Sequence, residues 1–337
     1  MLEIPNTWFL EQLQQRLSRQ YTIAFPDAYD ERTWDAIAFL LARVPQITPA
    51  LIGNTQQLRT FAEQSENHQL LDQLTVFDVE AFPALPQLVD WFYQRRRHKG
   101  IAKEEAAAIL HRSPLHFAGA LLANRFVDGV VAGSLSTTAD VIRAAVQTVG
   151  LAEGVETVSS FFLMLFPQNR VVWAYADCGV VPDPSSEELV TIAIQTAQNY
   201  QKITGNEPRV AFLSFSTKGS ADHPMVDKVR RAVQLTQQRN PMLQCDGELQ
   251  FDAAVVPEVA QRKAPGSPVA GKANVFIFPN LDAGNISYKI TERVGGAQAI
   301  GPNLQGLAHP YLDLSRGCHP ADIVLSAHIA ALMVQKD

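Results

Sequence analysis

Apolar positions along the chain alternate between two periods. Short runs rich in β-branched residues read as strands: YTIAF (21–25), TPALIG (48–53), DGVVAG (128–133), RVVWAYA (170–176), RVAFLSF (209–215), ELQFDAAVV (248–256) and NVFIFP (274–279). Between them, ERTWDAIAFLLARV (31–44), LPQLVDWFYQRRRHKG (85–100) and TTADVIRAAVQTVG (137–150) carry apolar residues three and four apart, the spacing of helices lying on a sheet. Strand and helix taking turns predicts an α/β fold with mostly parallel sheets. Near residue 150 the pattern changes. TVSSFFLMLF and RVVWAYADCGVV are separated only by PQN, which predicts a hairpin and the start of a second lobe.

Three other stretches are read from the same pattern. Trp8, Leu13 and Leu17 form one face of a predicted N-terminal docking helix. QRKAPGSPVAGK (261–272), rich in Pro, Gly and cations, is assigned to a surface loop. IVLSAHIAALMV (323–334) holds Ser326 and His328 and is too short to span a bilayer.

Composition narrows the class. At 337 residues the chain exceeds one ordinary core, so two lobes are expected. Apolar residues make up 47% and charged ones 18%, a low share that points to a surface covered by a second subunit. A net charge of -6 gives no general attraction to nucleic acid or an anionic membrane. Cys178, Cys245 and Cys318 are odd in number and widely spaced, which fits reduced cytosolic thiols. Dinucleotide, Walker, serine-hydrolase and zinc-protease signatures are missing, and the eight histidines show no ligand spacing, so no metal is expected.

Several stretches carry chemistry, each with a plainer explanation beside it. Ser134, Ser136, Thr137 and Thr138 lead from a strand into a helix, where free N–H groups hold an anion or the hydroxyls simply cap. Ser216, Lys218, Gly219 and Ser220 repeat that device. Arg95, Arg96, Arg97, His98 and Lys99 crowd a helix end, either to complement its dipole or to grip a polyphosphate. Asp246, Glu248 and Asp252 offer an acid pair or a cation site, although alternation along a strand explains them more cheaply. In DLSRGCHPADIV (313–324), Pro320 and Asp322 suit a helix start. Cys318 is there either a nucleophile activated by Arg316 and the helix dipole or a small buried thiol.

Taken in order, PDAYDERTWDA, GSLSTTADVIRA, RVAFLSFSTKGSA, DGELQFDAA, FPNLDAGNISYKITER, IGPNLQGLA and DLSRGC resemble the phosphate acetyltransferase family, also called phosphotransacetylase, from about Tyr21 to the end. The wording is most similar to the short ethanolamine-utilisation type. The resemblance implies two α/β lobes, residues 1–152 with 303–337 and residues 153–302, arranged as in isocitrate and isopropylmalate dehydrogenases with the active-site cleft between them. It implies catalytic roles for Asp322, Ser315, Arg316 and Arg293, and links Arg97 and Arg143 with coenzyme A. Ser136, Thr137, Ser216 and Lys218 of the two anion-type loops are taken as further substrate contacts. The implied partners are coenzyme A, acetyl phosphate and inorganic phosphate, with no cofactor, in a cytoplasmic homodimer that binds neither nucleic acid nor membrane. Two departures are HPAD ahead of the aspartate and Ser287 in place of a common glycine. The alternatives are a longer acyl phosphate such as butyryl phosphate, a catalytically silent acetyl-CoA sensor, and a decarboxylating dehydrogenase.

Overall fold

A computed structural model describes residues 2–64 and 68–334. The first elements are α1 (Thr7–Arg16), β1 (Tyr21–Phe25), α2 (Glu31–Arg43), β2 (Ile47–Ile52), α3 (Thr55–Glu63), β3 (Thr75–Phe77), α4 (Leu85–Arg96), α5 (Lys103–Arg112), α6 (Pro114–Ala123), β4 (Gly129–Ala132) and α7 (Thr138–Thr148). Next come β5 (Ser159–Phe166), β6 (Val171–Ala176), α8 (Ser186–Thr204), β7 (Arg209–Leu213), α9 (Pro224–Arg239), β8 (Gln244–Leu249), α10 (Phe251–Val255), α11 (Pro257–Lys263), β9 (Val275–Ile277), α12 (Leu281–Arg293) and β10 (Gln298–Gln305). The chain closes with β11 (Tyr311–Asp313) and α13 (Pro320–Met333). It divides into two compact units, Met1–Glu153 with Leu307–Asp337, and Gly154–Gly306.

The first unit is a sheet in the order β11-β4-β1-β2-β3, parallel throughout. α2 and α13 pack on each other over β1, β2 and β4, and α6 and α7 form a second layer over β4 and β11. Burial follows sequence period: Trp34, Ile37 and Leu40 are the inner face of α2, and Asp30 caps its start by accepting from Arg32 N at 3.0 Å. α13 is buried nearly all round, His328 included, so the apolar tail segment is a core helix. No helix among the described residues is long and apolar enough to cross a membrane. α1 docks against α13 through buried Phe9, Leu10 and Leu13, whereas Trp8, expected on that face, is only half-buried.

The strand order reverses between β1 and β4: β2 and β3 follow outward on one side, β11 on the other. Loops after the carboxyl ends of β1, β4 and β11 therefore meet at one crest, the usual position of a ligand site in an open α/β sheet.

In the second unit the order is β10-β5-β6-β9-β7-β8, and β5 alone runs against the other five. β5 and β6 form the predicted hairpin. The stretch read as a strand over 248–256 is different: β8 ends at Leu249, and Phe251–Val255 is helical. The expected surface loop over 261–272 begins inside α11, and its Ala264 and Val269 are buried.

Candidate active site

At the crest of the first unit the centre is a carboxylate that the sequence did not single out. Asp27, in the loop after β1, accepts from Gly133 N at 2.6 Å and Ser134 N at 2.9 Å, and the Ser136 hydroxyl lies 3.5 Å from its other oxygen. The N–H groups expected to hold a bound anion thus hold an internal one. Burial pushes the Asp27 carboxyl above its ordinary range, while the backbone donors of Gly133, Ser134 and Leu135 pull the other way. Thr137 caps α7, its hydroxyl accepting from Asp140 N at 3.2 Å and donating to the Asp140 carboxylate at 2.7 Å. Thr138 donates to Asp313 Oδ2 at 2.7 Å.

Arg32, also missed, ties these loops together. Its guanidinium forks onto Asp30 and donates to the carbonyl oxygens of Ser134 at 2.9 Å, Arg316 at 2.8 Å and Cys318 at 3.0 Å. A planar group with five donors meets four acceptors on three loops, an arrangement a lysine does not reproduce. Asp30 is held below the ordinary carboxylate range: burial acts upward, and the hydrogen bonds and charge of Arg32 outweigh it.

This clamp presents residues 315–317 outward. Ser315 and Arg316 are exposed, and the Ser315 hydroxyl accepts from Gly317 N at 3.2 Å. Asp322, in the first turn of α13, accepts from His319 N at 2.9 Å and remains half-exposed. Ser315, Arg316 and Asp322 therefore share one turn that is also a well-capped helix start. Cys318 faces inward. Burial pushes its thiol up to about 11 despite the charge of Arg32, so it is the small buried thiol and not an activated nucleophile.

Arginines gather on a second surface of this unit. Arg95, near the end of α4, donates to Gln147 O at 3.2 Å and Val149 O at 3.1 Å, docking that basic end on the end of α7. Arg97 follows in a short 3-10 turn and is exposed. Arg143, also exposed, pairs with Asp140 at 2.5 Å. His116 lies between Gln147 and Ser113; burial lowers its imidazole, and Arg143 and Arg96 lower it further.

In the second unit, Arg293 ends α12, largely exposed and 3.5 Å from Glu292. The loop after β7 is filled from within the chain. Glu248 fills its cradle, accepting from Ser216 Oγ at 2.9 Å, Gly219 N at 2.8 Å and Arg230 Nε at 3.0 Å. Ser216 is fully buried, and Lys218 is paired with Asp246. Ser216 and Lys218 therefore hold the loop, and Asp246 and Glu248 are its internal counter-charges. Asp252 pairs with Lys263 on the surface. Among the described residues no three His, Cys, Asp or Glu side chains converge as a metal site.

The match to known proteins spans the chain. The family model for phosphate acetyl/butaryl transferase covers residues 8–331. The phosphate acetyltransferase of Thermoanaerobacterium thermosaccharolyticum is 42% identical over 316 residues, 93% of this chain and 94% of that protein. That of Bacillus subtilis is 41% identical over 309 residues, 92% and 93% of the two chains. The EutD phosphotransacetylase from Staphylococcus aureus superposes with a TM-score of 0.91 at 37% identity, over 98% of this chain and 99% of that one. A 4-hydroxythreonine-4-phosphate dehydrogenase from Klebsiella pneumoniae shares the fold at a TM-score of 0.54 and 12% identity, covering 94% of this chain and 100% of that one. By its own sequence over nearly all its length, the chain belongs to the phosphate acetyl/butaryl transferase family.

Proposed function

We propose that the protein is a phosphate acetyltransferase, moving an acetyl group reversibly between inorganic phosphate and coenzyme A. The observation that carries this reading is the 42% identity to an enzyme of that name over 93% of the chain. The exposed Ser315–Arg316 turn at the strand-order switch supports it. The longer-acyl reading is favoured less: a branched-chain phosphotransacylase from Enterococcus faecalis is 15% identical.

In the thioester-forming direction the thiol of coenzyme A attacks the acetyl carbonyl, the S–C bond forms, and the C–O bond to phosphate breaks. A free thiol has a pKa of about 8.5, so few molecules are ionised at neutral pH and a base speeds the step. Asp322 takes the thiol proton and returns it to the leaving phosphate. Arg316 donates to the oxygen on which charge develops, a contribution of about 3 kcal/mol for one aimed donor, and Ser315 orients the sulfur or that oxygen. Arg293 receives the phosphate with its planar fork. Arg97 and Arg143 bind the phosphates of coenzyme A, with Ser136 and Thr137 shaping the loop at the crest. The chemistry calls for neither redox nor metal cofactor.

The functional unit is a homodimer formed through α12. Ile286, Ile290 and Val294 lie four residues apart and are 56%, 56% and 82% exposed, one apolar stripe suited to a second copy. Light scattering of the wild type and Ile290→Asp checks this. The function itself is tested by mixing purified protein with acetyl phosphate and coenzyme A in chelator. Thioester is expected, faster than with butyryl phosphate, and its complete absence sinks the reading.

A further inference from the structure

Asp313 ends β11 two residues before Ser315 and is 2% exposed. One oxygen accepts from Thr138 Oγ1 at 2.7 Å; the other, Oδ1, is buried without a hydrogen-bond partner. Gly133 is packed so closely on Oδ1, with φ +109°, that a Cβ there would collide with it and with the Leu314 backbone. The carboxyl group therefore joins the last strand residue before the catalytic turn to the loop after β4. Among the described residues no cation pairs with it, and the charge that raises its proton affinity comes from Asp27, a second buried carboxylate.

We propose that Asp313 is a positioning residue for Ser315 and Arg316 and that it does this work as the neutral carboxylic acid, bridging the turn to Thr138. This rests on the functional reading given above. An ionised Asp313 places a second buried negative charge beside Asp27 with the Thr138 hydroxyl and the Leu314 backbone N–H as its donors and no cation near it among the described residues, an arrangement that drives apart the loops Arg32 gathers. Burial, with Asp27 adding to it, pushes the Asp313 carboxyl up to about 7, although the Thr138 hydroxyl and the Leu314 backbone N–H pull down.

Other titratable groups on the packed elements do not replace Asp27. β4, GVVA, carries none. Asp140 and Arg143 of α7 pair with each other, Asp322 of α13 is bonded to His319 N, and His328 is held by Val324 O and pulled down by burial to about 4. Tyr311 is fully buried and donates to Leu115 O. On α2, Arg32 is turned to Asp30.

The test is kcat against pH for wild type, Asp313→Asn, Asp313→Ala and Thr138→Val. Asparagine keeps the neutral shape without titrating. Wild-type kcat is expected to fall on the alkaline side, and Asp313→Asn to lose that fall. Asp313→Ala and Thr138→Val should lower kcat about tenfold with KM for coenzyme A within about twofold. Superimposable profiles of wild type and Asp313→Asn, or full turnover in Asp313→Ala, overturn the proposal.

A second readout is independent of activity. A carboxyl whose folded pKa is raised gives stability that is complete below its unfolded value and lost as pH rises through the folded one. Wild type should therefore lose stability relative to Asp313→Asn between about pH 4 and about pH 7. If wild type makes no thioester the functional reading fails alone, and this melting comparison still decides the protonation state; a pH-independent difference overturns it.

Discussion

The guanidinium of Arg32 lies 2.8 Å from the carbonyl oxygen of Arg316, a residue 284 positions further along the chain. The same Nη1 reaches Cys318 O, and Nη2 reaches Ser134 O, so one side chain sets the distance between the crest loops. Each hydrogen bond to a charged donor contributes about 1.5–3 kcal/mol, and catalysis is steeply sensitive to misplacement of about 1 Å. Arg32→Ala is expected to lower kcat about a hundredfold. Arg32→Lys should recover little, since an ammonium cannot fork onto Asp30 while serving three carbonyls. Steady-state kinetics with a melting curve for each variant checks this; an active, folded Arg32→Ala refutes the clamp.

Asp322 carries two roles that substitution can separate. Its bond to His319 N caps α13, and losing a cap costs about 1 kcal/mol. Asp322→Asn keeps an acceptor for that N–H and removes the base. Both Asp322→Asn and Asp322→Ala should lower kcat about 10²–10⁴-fold with little change in KM, and only the alanine variant should melt earlier. Turnover equal to wild type in Asp322→Asn removes the acid–base assignment.

Periodicity made most of the scaffold legible because burial at one face writes itself into spacing, as Trp34, Ile37 and Leu40 do in α2. It failed where local rules were overridden. β8 holds Asp246 and Glu248 in a buried strand only because Lys218 and Arg230 neutralise them from elsewhere, so its start was not recognised. Phe251–Val255 then looked like its continuation, although Ala253 and Ala254 favour a helix. β3 and β11 have three residues each, and β10 shifts register between Ile300 and Asn303, so neither period develops. At the site, Ser315, Arg316 and Asp322 were legible as one motif, whereas Arg32 and Asp27 act on backbone groups more than a hundred positions away and leave no local signature.

The arginine surface predicts a different kinetic signature. Arg97 is exposed, and Arg95 fixes the helix end that presents it. Arg97→Ala should raise KM for coenzyme A about tenfold and change kcat less than about threefold. Arg143→Ala should act in the same direction but less, because Asp140 already neutralises part of that charge. Raising salt should increase KM for coenzyme A in wild type more than in either variant.

Glu248 predicts a stability effect. Burial raises its carboxyl, but Arg230, Gly219 N and Ser216 more than offset this, leaving it below the ordinary range. A lowered folded pKa gives stability that is present above the unfolded value and lost as pH falls through the folded one. Arg230→Ala leaves the buried carboxylate with only Ser216 Oγ and Gly219 N to hold its charge, which destabilises the fold. Denaturant titrations should find Arg230→Ala much weaker at pH 7, with the gap to wild type closing below about pH 4 as Glu248 is protonated.

The last prediction concerns the thiol in the catalytic turn. Cys318 sits among groups that suggest a nucleophile, yet it is buried, burial pushes its pKa up to about 11, and what Arg32 holds most closely is its carbonyl oxygen at 3.0 Å. Direct transfer to coenzyme A needs no acyl-enzyme on this sulfur. Cys318→Ala removes the side chain and keeps the carbonyl, so the clamp survives and only packing is lost. Its kcat should stay within about fivefold of wild type, with a melting temperature lower by a few degrees. Native protein should also resist a thiol reagent until unfolded, because Cys178 and Cys245 are buried as well. A hundredfold loss in Cys318→Ala, together with acetyl label trapped on the wild-type protein, would replace direct attack by a covalent route.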